Sequence, residues 1–229
     1  MTVYRLEGRV EPPILEHASW MDEITSVDVY DLDDTEARGR ILSGAGLIVP
    51  AGADHMFLST HLDALTEFVR GGGRVLINGQ ITVPFIQGLA PWSKLTARSA
   101  LELQPVQLNE HPVWAGVDYD DLHYRTGAPG VHSYEALVEI GVAGFYGRGY
   151  HVDLPADATV ITGIGPLSLP LDYSYRIGTG EVLVHAGRDL EKYADPRYST
   201  GAFGENLVRW LRGDTSADAS TQTSAGVKA

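Results

Sequence analysis

Apolar positions along the chain fall into short runs separated by glycine, proline and acidic clusters, and the spacing within each run predicts its secondary structure. Val3 to Leu6 reads as a first strand, and Ile14, Leu15, Ala18, Met21 and Ile24 fall at helical spacing behind Pro12 and Pro13. Val27 to Tyr30 alternates as a strand into Asp31, Asp33 and Asp34, and Leu47 to Val49 is a fully apolar strand ended by Pro50. The clearest segment is Ser59 to Gly73: Leu62, Leu65, Phe68 and Val69 line one helical face after a Thr60 cap, and Gly71, Gly72 and Gly73 stop it. Arg74 to Ile77 is the next strand and ends at Asn78-Gly79-Gln80, so residues 47–77 form one strand-helix-strand unit with parallel strands.

Periodicity then weakens. Residues 81–100, with Pro84, Gly88, Pro91 and Trp92, read as a decorated edge, and Leu101 to Leu108 and Ala158 to Ile161 as strands. Tyr173 to Arg176 and Glu181 to His185 form a hairpin through Ile177-Gly178-Thr179-Gly180. Phe203, Leu207, Trp210 and Leu211 stripe a last helix, and residues 214–229, rich in Ser, Thr, Ala and Gly, read as a mobile tail.

At 229 residues one domain, spanning 1–213, is expected, and no disulfide or metal support is required. The net charge of −13 and the lack of a basic cluster argue against nucleic acid as a partner. No apolar run reaches the length of a membrane span, and the charged start, Arg5, Glu7 and Arg9, is unlike a signal peptide, so a cytoplasmic location is expected. The chain has no cysteine, which removes thiolate metal sites and any cysteine nucleophile.

Three stretches resemble the class I glutamine-amidotransferase-like superfamily, and within it the trehalose-utilisation (ThuA-like) branch. They are Leu47-Ile48-Val49-Pro50 with the helix ending in Gly71-Gly72-Gly73-Arg74-Val75-Leu76-Ile77; His111-Pro112-Val113-Trp114-Ala115-Gly116; and Gly178-Thr179-Gly180 leading to His185-Ala186-Gly187. The resemblance implies an α/β, flavodoxin-like three-layer sandwich, its sheet mainly parallel with an antiparallel hairpin near the C-terminus. It also implies a ligand site at the carboxyl ends of the strands. Catalytic relatives carry a Cys nucleophile on the turn after the Gly-Gly helix and its strand. Here that turn is Asn78-Gly79-Gln80, with Thr82 the nearest hydroxyl, so glutamine hydrolysis is not expected.

Strand ends should gather Asp54 and His55, Asn78 and Gln80, and His185 with Asp189 in one crevice. For acid-base chemistry the candidates are His123, His185, Asp54 and Asp189. For ligand contact they are Asn78, Gln80, His55, Arg125, Tyr146, Arg148 and His151, several in a polar-aromatic segment from His123 to His151 that could instead form a subunit interface. No histidine spacing indicates a metal, and neither Gly71-Gly72-Gly73 nor Gly163-Ile164-Gly165 forms a dinucleotide or phosphate loop, so no cofactor is expected. The functional expectation is a non-glutaminase protein that binds a small polar metabolite, carbohydrate-related by the family association. Alternatives are a His/Asp acid-base enzyme, or an assembly module forming a homo-oligomer.

Overall fold

A computed structural model describes residues 2–8, 18–98, 100–123 and 149–214. Ten strands are described. They are β1 (Val3–Glu7), β2 (Ile24–Asp28), β3 (Gly46–Val49), β4 (Arg74–Asn78), β5 (Trp92–Lys94), β6 (Pro105–Gln107), β7 (Gly149–His151), β8 (Thr159–Ile164), β9 (Leu169–Ile177) and β10 (Gly180–His185). Eight of them form one sheet in the order β2-β1-β3-β4-β10-β9-β8-β6, while β5 and β7 pair separately. Strands β2, β1, β3, β4 and β10 run parallel, and β9, β8 and β6 extend the sheet in antiparallel fashion.

Two helical layers close over this sheet, because its central strands are apolar on both faces. Leu47, Val49, Val75, Ile77, Val182 and Val184 point to one side, where α1 (Thr35–Ile41), α2 (His55–Thr60) and α3 (Leu62–Arg70) place Ile41, Leu58, Leu65 and Val69. The alternate residues Ile48, Leu76 and Leu183 meet Phe203, Leu207, Trp210 and Leu211 of the last helix, α5 (Ala202–Leu211). The short α4 (Tyr119–His123) lies beyond β6 in sequence. The expected three-layer α/β sandwich with a C-terminal antiparallel hairpin is therefore the observed architecture.

The unit that carries the site is the expected one. β3 pairs with β4 in parallel register, Gly46 with Arg74 through Val49 with Ile77, so both strands deliver their carboxyl ends to the same edge. β10 then pairs with β4, Glu181 with Arg74 through His185 with Asn78, and adds a third end there.

Several elements differ from the sequence expectation. Ile24 begins strand β2 rather than ending a helix, and before it Ser19–Glu23 is a 3-10 helix; residues 9–17 lie outside the described residues. The strand predicted at 27–30 stops at Asp28, whose side chain accepts the Tyr30 amide and turns the chain into a 3-10 helix, Val29–Asp33. The helix after β3 starts earlier than Thr60: Asp54 caps it by accepting from the Phe57 amide, and it breaks at His61 into α2 and α3. Strand β6 is limited to Pro105–Gln107, after a 3-10 turn at Ala100–Leu103, and β8 runs on from the predicted 158–161 to Ile164. The predicted tail beyond residue 214 lies outside the described residues.

Candidate functional site

The carboxyl ends of β1, β3, β4 and β10 border a cleft with two adjoining cavities that share Ala51 and Arg188. The one on the β4 and β10 side, inner with respect to the sheet though the more open of the two, is about 370 Å³ and is lined by Gly79, Gly187, His55, Gln80, Thr82 and Arg188. The outer one, about 470 Å³, carries Arg5, Glu7, Tyr30, Asp54, Asp189 and Lys192. Parallel pairing of the strands produces this arrangement, because the loops that leave each strand emerge side by side.

Gly79 makes the turn after β4 with φ at +92°, and its amide donates to the His185 carbonyl oxygen at 2.9 Å. A Cβ at this position would lie 2.8 Å from both Cα and Cβ of Ala51. Position 79 therefore admits no side chain unless Ala51 or the backbone shifts.

Behind the outer cavity lies a buried ion-pair network. Arg5 donates from Nε to Glu191 Oε1 at 2.9 Å and from NH2 to Asp189 Oδ2 at 2.6 Å, and it also pairs with Glu7. Asp189 is used on both oxygens, since Lys192 Nζ lies 3.0 Å from Oδ2 and the Ala51 amide donates to Oδ1 at 2.7 Å. Burial alone would lower the Arg5 pKa, but Glu191 and Asp189 together hold it above its ordinary value. Burial, and next the charge of Asp189, push the Glu191 carboxyl up against the pull of Arg5. Asn78 is fully buried and belongs to this scaffold: it accepts the Leu190 amide at 3.0 Å and donates to Glu191 Oε2 at 3.4 Å and to the Val49 carbonyl at 3.3 Å. It ties β3, β4 and the segment after β10 together beneath the cleft.

His55 is buried, and its Nδ1 accepts the Thr82 amide at 3.3 Å with the Thr82 hydroxyl 3.1 Å away. An amide N–H can only donate, so the neutral ring carries its proton on Nε2, which has no partner among the described residues. Burial lowers the His55 pKa despite the adjacent Asp54, so the ring is neutral at pH 7 and its one basic nitrogen is already occupied. Asp54 caps α2 and accepts the Tyr30 hydroxyl at 3.1 Å. The Phe57 amide, and then Tyr30, hold its carboxyl below the usual range in spite of partial desolvation.

Of the residues singled out in the sequence, Asp54, His55, Gln80 and Asp189 line the cleft, and Asn78 supports it from below. His185 ends β10 but is fully buried and lines neither cavity; its Nδ1 lies 2.5 Å from Asp172 Oδ1. Strand alternation sends Val184 towards the α3 side and His185 to the other face, where Asp172 is its register partner. His151 is also buried, packed edge-on to Tyr173 at 5.0 Å, and burial drives its pKa down to about 4. His123 ends α4, and Arg125, Tyr146 and Arg148 lie outside the described residues. No group of three or more His, Asp or Glu that could hold a metal occurs among the described residues.

Sequence reasoning missed Arg188. It is exposed, borders both cavities and has no hydrogen bond or ion pair among the described residues. Its proximity to Gly187 in the loop after β10 was the one available signal.

No family model matches the chain, and no curated protein matches it. Among solved structures it is similar to a cytoplasmic protein from Salmonella typhimurium, at 13% identity over 92% of this chain and 98% of that one, with a TM-score of 0.54. It also overlays a second cytoplasmic protein from Salmonella typhimurium LT2 (12% identity, 92% and 99% covered, TM-score 0.46). A third overlay is with a cold-adapted β-galactosidase from Rahnella sp. R3 (12% identity, TM-score 0.41), covering 82% of this chain and 25% of the enzyme. The first likeness shows the fold alone, and the other two are too loose to argue from. Fold and cleft together define a three-layer α/β protein with a polar crevice at its parallel strand ends. Among the described residues no helix is long and apolar enough to cross a membrane.

Proposed function

We propose that this protein is a non-glutaminase, amidotransferase-like protein of the cytoplasm that binds a small polar metabolite in the strand-end cleft, in keeping with its resemblance to the ThuA-like branch. The observation that carries the reading is the Gly79 turn. By the resemblance it belongs to the turn that carries the nucleophile in catalytic relatives; a Cβ on Gly79 would meet Ala51, and the turn lines a cavity whose polar groups are a neutral imidazole, a carboxamide, a hydroxyl and a guanidinium. These groups hold and orient a ligand, and none of them is set up to attack it. An acid-base enzyme would need a histidine paired to a carboxylate within the cleft. His185 and Asp172 pair away from it, and His55 spends its basic nitrogen on Thr82.

Differential scanning fluorimetry of the full chain against a panel of sugars, sugar acids and phosphorylated metabolites tests this reading. At least one class should raise the melting temperature saturably, and Gln80→Ala should abolish that shift while leaving the unliganded melting temperature in place. Measurable glutaminase activity, or a panel that leaves the melting temperature flat, counts against the reading.

A further inference from the structure

The two cavities differ in charge, and the difference specifies a ligand. The chain has 30 acidic residues against 17 basic ones, yet among the described residues no carboxylate lines the inner cavity. Its one charged group is the Arg188 guanidinium, left out of the ion-pair network in which Arg5 and Lys192 are both neutralised by Asp189. His55 lines the same cavity as a neutral ring, its Nδ1 held by Thr82 and its Nε2 itself buried. Gln80 and Thr82 can each donate or accept, so among the described residues the one uncompensated charge in this cavity is the Arg188 cation, and an anion is what neutralises it. The outer cavity carries charges of both signs, Arg5 and Lys192 being paired there with carboxylates. Glu7 and Asp54 line it as acceptors, and the exposed ring of Tyr30 stands at its edge.

Resting on the proposed metabolite-binding role, we infer that the ligand is a small hydroxylated acid. Its carboxylate or phosphate group pairs with Arg188 in the inner cavity, and its hydroxyl-bearing body extends past Ala51 to donate to Asp54 and Glu7 in the outer one. Arg188 supplies two parallel N–H groups that match either anion, and the cleft is shared at this residue, so one molecule can reach both halves. A neutral polyol of the same length gains the outer contacts and leaves the guanidinium unpaired.

Isothermal titration calorimetry of the full chain with D-gluconate, inorganic phosphate and sorbitol tests the assignment. D-gluconate, phosphate or both should bind saturably and sorbitol should bind at least about tenfold more weakly, with D-gluconate alone identifying a carboxylate site and phosphate alone a phosphate site. Arg188→Gln should weaken the anion at least about tenfold, and because Arg188 is exposed and unpaired its unfolding midpoint in urea should match that of the unmodified chain. Saturable sorbitol binding without anion binding overturns the inference and leaves the cleft reading standing. Anion binding that survives Arg188→Gln overturns the inference as well, and so does silence from all three probes, the cleft reading falling with it only if the wider metabolite panel also leaves the melting temperature flat.

Discussion

Replacing Gly79 by alanine measures how tightly the turn beneath the cleft is closed. Two costs add. The backbone at +92° is one that side-chain-bearing residues rarely adopt, and holding it there costs roughly 1–3 kcal/mol. The new methyl would lie 2.8 Å from Ala51 Cα and Cβ, so β4 or the loop after β3 must shift, which adds about 1–3 kcal/mol of overpacking. A destabilisation of about 4 kcal/mol is expected, seen as a lower urea midpoint with an unchanged slope. Gly52→Ala is the control. It lies in the neighbouring loop, with nothing within 4 Å of its Cβ position, and should change stability by less than about 1 kcal/mol. A Gly79→Ala protein within about 0.5 kcal/mol of the parent would show that the turn has room for a side chain and would refute the argument that Ala51 closes position 79.

Two further outcomes follow from the buried charges. Arg5→Met leaves Glu191 and Asp189 inside without their guanidinium and should cost about 3–5 kcal/mol in urea unfolding, much of it recovered in the double variant Arg5→Met/Glu191→Gln. His151 has its pKa lowered by burial from 6.5 to about 4, so the unfolded chain binds the extra proton between those values. Its neutral burial therefore supports the fold fully above pH 6.5, and that support is lost as the pH falls towards 4. Between pH 7.5 and 5 this amounts to about 2 kcal/mol, and His151→Gln should flatten the corresponding slope in urea midpoints measured across that range.

The parts of this fold legible in the sequence are those where period and punctuation agree. Leu47 to Ile77 combines a saturated apolar run, a one-faced helix and a triple-glycine stop, and the β9–β10 hairpin and α5 carry comparably clear patterns. Helix α1 escaped because it has only seven residues, two of them buried, and its cap, Asp34, sits in a run of acids that reads equally well as loop. The start of α2 was hidden for a related reason: Asp54 was weighed as a site residue, and it both lines the cleft and caps the helix.

At the site, adjacency in the chain was informative and distance was not. Asp54 with His55 and Asn78 with Gln80 arrived together because each pair leaves one strand of a parallel set. The partnership of Arg5 with Asp189 spans 184 residues, and no local pattern announces it. His185 was misjudged by a single step of strand alternation. Being at a strand end does not decide which face of the sheet a side chain takes, and here it meets Asp172 beneath rather than the crevice above.

The most direct measurement is a titration of the isotope-labelled chain, followed by amide chemical shifts, with whichever metabolite stabilises it most. Shifts confined to the amides of Ala51, Gly79, Gln80, Gly187 and Arg188, with the β6 and β8 edge unmoved, are the predicted result. Shifts concentrated on that far edge, with Gly79 and Gly187 silent, would contradict the placement of the binding site at the parallel strand ends.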